Sequence, residues 1–402
     1  MLLFFVMQNF SDLKKSLEFL KNMFSKYYKS YDFVLPDRFA RREFAFVFFG
    51  GKGMMRHIGY EKKNDFVNYL RTNTPCHVYY SSAYYKTPDA SNMLDKKWMG
   101  AELIFDLDSD HLPNAENLSY EKQLELVKKE FFKLVNDFLI SDFGFNEKYL
   151  ELYFSGGRGY HCHVKDPKVL MLNSSDRREI VDYITGRDLK DSIVFYEKVT
   201  SKTQIKGKSF ASGKTLKMPK PDEPGWKGRI SRGIIEIVEE IKNSKYPIEK
   251  LKDYGVSEKD AEKLINELSE ERINRIKQGN LDQSKTIRKF FLNNALRKTA
   301  VNMSAGETDE PVTCDVKRLI RLPGSLHGKT GFKVEKLEID KIKEFDPLVD
   351  TIVFPEDIIK IKMNKDYKIE INNQDYRLSE GTVDVPEFLA VFLISRKLAN
   401  II

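Results

Sequence analysis

Leu13, Leu17, Leu20 and Phe24 recur at three- and four-residue spacing, which predicts an early amphipathic helix. Ahead of them, Met1 to Met7 is short and apolar. It reads as a buried first strand or as residues upstream of a start at Met7. Phe44 to Phe49 is a compact apolar run ended by Gly50-Gly51, the form of a buried strand. Glu102 to Phe105 leads as a strand into Asp106-Leu107-Asp108. Leu124, Val127, Phe131, Leu134 and Phe138 then predict a long helix. Leu150 to Phe154 reads as another strand, stopped by Ser155-Gly156-Gly157, and extended structure resumes from His161 to Val164. Strands alternating with helices imply an α/β or α+β core.

The texture changes after about residue 197. Lys198 to Arg232 holds ten Lys or Arg against two acids, Asp222 and Glu223, together with Gly207, Gly213, Gly225 and three prolines. It reads as a basic, loop-rich stretch. Helical patterning follows: Ile234, Ile237, Val238 and Ile241 form a stripe, and Ser257-Glu258-Lys259-Asp260 resembles a capping box before Ala261, Leu264, Ile265 and Leu268. Extended signals return at Val312 to Arg321 and Gly331 to Ile339, and a last helix spans Val385 to Leu398. The expected organisation is a core over 1–200, a basic loop and inserted helical subdomain over 201–300, and the rest of the core over 301–402.

Composition narrows the function classes. Hydrophobic residues are 41% of the 402, enough to bury a core. Lys and Arg number 67 against 60 Asp and Glu, a mild surplus that permits a polyanionic partner without requiring one. Three scattered cysteines, Cys76, Cys162 and Cys314, exclude a disulfide scaffold and a thiolate-rich zinc site. No apolar run approaches the roughly 20 residues of a membrane span, and the first residues lack the marks of a signal peptide. A cytoplasmic protein is expected.

Three constellations carry chemistry. Asp106 and Asp108, at i and i+2 of a strand, project to one face as hard oxygen ligands suited to Mg²⁺ or Mn²⁺. Alone, they also fit an acidic strand-end turn running on to Asp110. Ser155-Gly156-Gly157-Arg158-Gly159-Tyr160-His161-Cys162-His163 can turn backbone N–H groups and an Arg fork toward phosphate. Alone, it also fits a glycine turn beside partly buried histidines. A zinc site from His161, Cys162 and His163 is disfavoured, because adjacent strand positions point apart. Asp315, Arg318, Arg321 and Leu322-Pro323-Gly324-Ser325-Leu326-His327-Gly328-Lys329-Thr330-Gly331 place an acid, then cations and a histidine, around a Pro-Gly turn. That segment fits a phosphate-gripping loop or a basic surface hairpin. Phosphoryl transfer needs metal carboxylates and phosphate clamps together. No Ser or Cys triad supports acyl transfer.

In order and spacing these segments resemble the catalytic small subunit of archaeal and eukaryotic DNA primases. The likeness spans roughly residues 35–340, with Arg42-Glu43-Phe44 and Arg56-His57 upstream also fitting the archaeal pattern. Val385-Pro386-Glu387-Phe388-Leu389-Ala390 resembles the closing helix of archaeal members. The resemblance implies an archaeo-eukaryotic primase core, a mixed sheet flanked by helices with a helical insertion. It implies Asp106, Asp108 and Asp315 as a metal triad for Mg²⁺ or Mn²⁺. Ser155, Arg158 and His161, with Arg321, His327 and Lys329, are implied to hold a nucleoside triphosphate. The implied activity is template-directed synthesis of short RNA or DNA primers on single-stranded DNA, with release of pyrophosphate. A large subunit carrying an iron–sulfur cluster is the implied partner.

Two departures stand out. Many members carry a Cys/His zinc knuckle near the D-x-D strand. Residues 109–150 here hold no cysteine and only His111, so structural zinc is expected to be absent. Eukaryotic members often have a second arginine where Gly157 stands, so one triphosphate contact is missing or comes from elsewhere, with the Lys198–Arg232 stretch as one source. That stretch also fits template tracking or a solvated loop. The alternatives are a polymerase of the same fold that extends ends without starting chains, a non-catalytic nucleic-acid-binding module, and a metal-dependent nuclease.

Overall fold

The structure, a computed structural model, describes residues 2–111, 118–190, 195–205, 208–281, 285–292 and 310–402. The chain divides into two compact units. One comprises Met1–Phe132, Phe145–Glu179 and Glu307–Ile402, and the other Lys133–Gly144 and Ile180–Gly306. The second unit therefore takes in Lys133–Gly144 and begins ahead of the boundary at 201 suggested by the charge shift.

In chain order the strands are β1 Phe44–Val47, β2 Met54–Ile58, β3 His77–Ser81, β4 Ala83–Tyr85, β5 Trp98–Ala101, β6 Leu103–Asp108, β7 Leu150–Phe154, β8 Gly159–Val164, β9 Tyr196–Ile205, β10 Lys208–Lys217, β11 Leu319–Arg321, β12 Glu335–Leu337, β13 Ile358–Met363, β14 Tyr367–Ile371, β15 Gln374–Leu378, β16 Gly381–Pro386 and β17 Ala399–Ile401. In the first unit, one four-stranded sheet runs β11-β3-β1-β2 and another β12-β7-β8-β6. The fold class is α+β. Every strand pair among the described residues is antiparallel, so the mixed sheet expected from the resemblance has no parallel pair there. Short connections account for the hairpin pairs: β7 returns as β8 after only residues 155–158, and a turn of that length can join only antiparallel neighbours.

Several expectations change. The apolar start is no strand. A helix runs Leu2–Ser30, continuous with the amphipathic stripe behind it, and it buries Leu20 and Phe24. The segment from Val312 is not extended throughout either. Glu310–Cys314 is helical, and extension begins only at Leu319. The basic stretch is not a loop. Its first part pairs as the hairpin β9–β10, and its last part opens the helix Gly225–Asn243; Gly207 lies outside the described residues. The alternation escapes notice in sequence because Lys, Thr and Ser are spread along both strands of the ribbon, leaving no period-two apolar signal.

The second unit packs around the helix Gly225–Asn243, whose Ile234, Ile237, Val238 and Ile241 are all buried. Ser257 caps the helix Glu258–Glu267 by accepting from the Asp260 N–H, as the sequence signature implied. Arg229 pairs with Asp142 at 2.8 Å, with both side chains almost fully enclosed, and its guanidinium lies 3.8 Å from the Phe138 ring centroid.

Beneath the first unit's site lies a buried charge network. Glu102, just ahead of β6, has a fully enclosed carboxylate held by the Arg42 guanidinium and by His163 Nδ1 at 2.9 Å. Lys165 Nζ stands 3.8 Å away. Burial alone would raise the Glu102 carboxyl; Arg42, then His163 and Lys165, outweigh it and hold the group well below the usual carboxylate range. Arg42 is held further by the Ser81 carbonyl at 2.8 Å and by the Tyr84 hydroxyl at 3.2 Å. Removing one member of such a cluster strands a buried charge, so Arg42→Met should lower unfolding stability by about 3 kcal/mol or more. Adding Glu102→Gln should recover part of the loss, and urea unfolding of the single and double variants checks both.

Candidate active site

The register of β6 against β8 sets the site. Asp106 lies opposite His161 and Asp108 opposite Gly159, while Leu103, Phe105 and Leu107 turn the other way into the core. Asp106 Oδ1 stands 3.1 Å from His161 Nε2. Asp108 Oδ1 accepts from the Asp110 N–H at 3.2 Å and lies 4.0 Å from Arg158 Nε. Arg158 also donates to Asp110 Oδ2 at 2.5 Å. The two strand carboxylates remain partly exposed, 19% for Asp106 and 33% for Asp108. They face a cleft of about 580 Å³, within the usual range for ligand pockets.

The turn between β7 and β8 forms one wall. Ser155 Oγ accepts from the N–H groups of both Gly157 and Gly159 at 3.2 Å, which pins the turn and leaves its own proton free to be donated. The Tyr120 hydroxyl donates to the Gly157 carbonyl at 2.6 Å, and the Thr330 hydroxyl to the Gly156 carbonyl at 2.5 Å. Gly156 has φ +76°, and a Cβ there would sit 2.8 Å from His327 Cβ. A Cβ at Gly157 would lie 3.1 Å from His327 Nε2. The ring of the third motif therefore occupies the space that a side chain at 157 would need.

The third motif forms the facing wall. His327 is buried, and its Nδ1 accepts from the Lys329 N–H at 3.3 Å, which assigns the ring proton to Nε2. Burial, with Arg321, His77, Lys329 and Arg158 adding to it, keeps this imidazole well below its ordinary range. It is a neutral donor. Arg321, on β11, donates to His77 Nδ1 at 2.7 Å, and its guanidinium lies 5.1 Å from the Tyr79 ring centroid. The Gly328 N–H reaches the same Nδ1 at 3.2 Å. Burial, then Arg321 and Lys329, pull His77 down from 6.5 to about 3.

Eight of the nine residues singled out in sequence line this cleft: Asp106, Asp108, Ser155, Arg158, His161, Arg321, His327 and Lys329. Asp315 does not. It is exposed beyond the helix Glu310–Cys314 and accepts from the Lys317 N–H at 2.8 Å. Among the described residues no three His, Cys, Asp or Glu side chains gather closely enough to hold a metal ion. Asp106 and Asp108 as a pair do fit a hard divalent cation, offering carboxylate oxygens on one strand face toward a polar cleft. Glu43 is buried and accepts from Arg56 Nε and the His57 N–H, both at 3.1 Å, and these three are not among the lining residues.

Sequence reasoning missed His77, Tyr79 and the terminal trio Ser395, Arg396 and Lys397, and gave Arg318 no role. His77 stands 244 positions from Arg321, and only the β3–β11 pairing joins them.

An imidazole kept neutral when folded but free to protonate when unfolded opposes folding in acid. The unfolded chain binds the extra proton from pH 6.5 down to about 3, so stability present above 6.5 is lost as pH falls through that window. The slope from one such group approaches about 1.4 kcal/mol per pH unit. His77→Asn keeps an acceptor for Arg321 without titrating, so its stability, followed by denaturant unfolding from pH 7 to 4, should fall less steeply than that of the parent chain.

The comparisons agree with this geometry. The family model described as DNA primase small subunit matches residues 105–337. A protein of Methanosarcina acetivorans named DNA primase small subunit PriS is 42% identical over 404 residues, covering 96% of this chain and 97% of its own length. Its namesake in Methanosarcina barkeri is 41% identical, with 96% and 97% covered. That of Thermoplasma volcanium is 38% identical, with 94% and 96% covered. Full-length likeness at this level, with the matched region holding both the D-x-D strand and the two phosphate-type loops, establishes that the chain belongs to the DNA primase small subunit family.

Proposed function

We propose that this chain carries out template-directed nucleotidyl transfer, synthesising short primers on single-stranded DNA from nucleoside triphosphates. The observation that carries the reading is the single cleft in which Asp106 and Asp108 face Arg158, Arg321, His327 and Lys329. In the reaction a 3′-hydroxyl oxygen bonds to the α-phosphorus, the bond to the β-phosphate breaks, and pyrophosphate leaves.

Asp106 and Asp108 would hold Mg²⁺ or Mn²⁺, and Asp315 is proposed as the third carboxylate. Such ions, when bound, lower the pKa of the attacking hydroxyl and neutralise charge on the leaving group. Ser155 fixes the glycine turn and keeps a hydroxyl proton to donate. Arg158 and Arg321 supply guanidinium forks, Lys329 a mobile charge, and His327 a neutral N–H, so a triphosphate meets donors of graded charge. His161 orients Asp106 through their 3.1 Å contact. His77, through its bond to Arg321, fixes the direction of that guanidinium. The partner is proposed to be a large subunit bearing an iron–sulfur cluster. Among the described residues no helix is long and apolar enough to cross a membrane.

The test is synthesis on single-stranded DNA with labelled nucleotides and no added primer, in Mg²⁺ and in Mn²⁺, with and without the large subunit. Short products should appear, and Asp106→Asn and Asp108→Asn should each reduce them at least about a hundredfold, since even outer-shell changes at metal sites cost up to that much. Asp315→Asn should do the same if it completes the set. Extension only from a supplied 3′ end, even with the large subunit, would overturn chain initiation. No metal-dependent incorporation by folded protein would overturn catalysis.

A further inference from the structure

Four residues that line the same cleft each carry a buried side-chain polar atom without a hydrogen-bond partner: His161 Nδ1, Arg318 Nε, Ser395 Oγ and Arg396 Nε. Buried polar groups are normally satisfied, and orphans gathered on residues around one cleft point to where a ligand or its water belongs. Two of the four come from the end of the chain's last helix, Glu387–Ser395, which is otherwise apolar and enclosed from Phe388 to Ile394.

That helix ends in an unusual way. The Lys397 N–H bonds the Ile394 carbonyl at 3.0 Å, and the Leu398 N–H the Leu393 carbonyl at 2.9 Å. This closure favours glycine at the left-handed position. Lysine stands there instead, at φ +61°, a conformation that strains a residue with a Cβ. A helix C-terminus carries partial negative charge and repels anions on its own. Arg396 and Lys397 reverse that sign at the cleft.

Arg396 is also held for the purpose. Its guanidinium lies 4.5 Å from the Tyr120 ring centroid and 5.3 Å from that of Phe392. These aromatic contacts fix the fork without neutralising it. No carboxylate among the described residues pairs with it, whereas Arg158 is engaged by Asp110 and Asp108. Tyr120 joins it to the glycine turn, because the hydroxyl of the ring under Arg396 donates to the Gly157 carbonyl.

We propose that Ser395, Arg396 and Lys397 form an additional phosphate-binding edge of the cleft, gripping the β- and γ-phosphates of the incoming nucleoside triphosphate. The inference rests on the nucleotide-binding reading of the cleft. The link through Tyr120 to Gly157 favours a nucleotide over a strand of nucleic acid, whose backbone phosphates share the same chemistry.

The test is equilibrium binding of ATP, AMP and single-stranded DNA to the full chain in Mg²⁺, comparing the parent with Arg396→Ala, Arg396→Lys and Ser395→Ala. Thermal unfolding confirms that each variant is folded. Arg396→Ala should weaken ATP about tenfold, as expected for a lost hydrogen bond to a charged group, while leaving AMP and DNA within about twofold. Arg396→Lys should recover part of the ATP affinity, showing that charge at this place matters. Equal weakening of ATP and AMP, or loss of DNA binding with ATP unchanged, overturns the inference. So does ATP binding indifferent to both Arg396 variants. A parent chain that binds no ATP at all overturns the reading of the cleft itself, an outcome distinct from any of these.

Discussion

Everything at the site depends on the antiparallel register between β6 and β8. One face of β6 must be apolar enough to anchor the strand in the core, and the other must deliver carboxylates to a cleft. Pairing Asp106 with His161 and Asp108 with Gly159 does both. A slip of one residue would bury the acids and expose Phe105 and Leu107. The absence of a side chain at 159 matters here, since a Cβ would stand 2.4 Å from the Leu107 carbonyl. The glycine lets the two strands close at the point where the second carboxylate leaves the sheet.

The same face of β6 continues inward to Glu102, whose charge is satisfied by Arg42, His163 and Lys165. A polar row thus runs along β6 and β8 from the enclosed Glu102–His163 pair to the partly exposed Asp106–His161 pair. The buried part trades desolvation for fixed geometry, and its members hold the strands under the cleft in one arrangement. Across the cleft, two histidines are kept neutral by burial and by nearby cations. His77 serves as an acceptor that aims Arg321, and His327 as a donor lying against the glycine turn. Neutral imidazoles bring hydrogen bonds to a cation-rich wall without adding to its self-repulsion.

How much of this was legible in sequence follows from locality. Asp106-x-Asp108, the turn from Ser155 to His161 and the loop from Arg321 to Lys329 are each contiguous, and each carries its chemistry in residue types set by short-range geometry. The structure gathers them on one cleft. Asp315 was part of the same pattern, yet it stands exposed off that wall. His77 opens β3, His77–Ser81, with nothing local to mark it. Its meaning comes from a partner brought alongside by sheet pairing. The β9–β10 hairpin was hidden for the opposite reason, since its Lys, Thr and Ser residues leave no apolar alternation to read. Arg396 and Lys397 fell inside the helix expected over Val385 to Leu398, which ends at Ser395, and nothing local marked them, because what that helix terminates against is a tertiary fact.

The cleft is proposed to join a nucleotide to a strand with loss of pyrophosphate. The most direct measurement is pyrophosphate release followed alongside strand length on a defined single-stranded template. The expected result is one pyrophosphate for each phosphodiester bond formed, dependent on template and divalent ion, and abolished together with incorporation in Asp106→Asn. Strand shortening without pyrophosphate, or pyrophosphate release unaffected by Asp106→Asn, would contradict it.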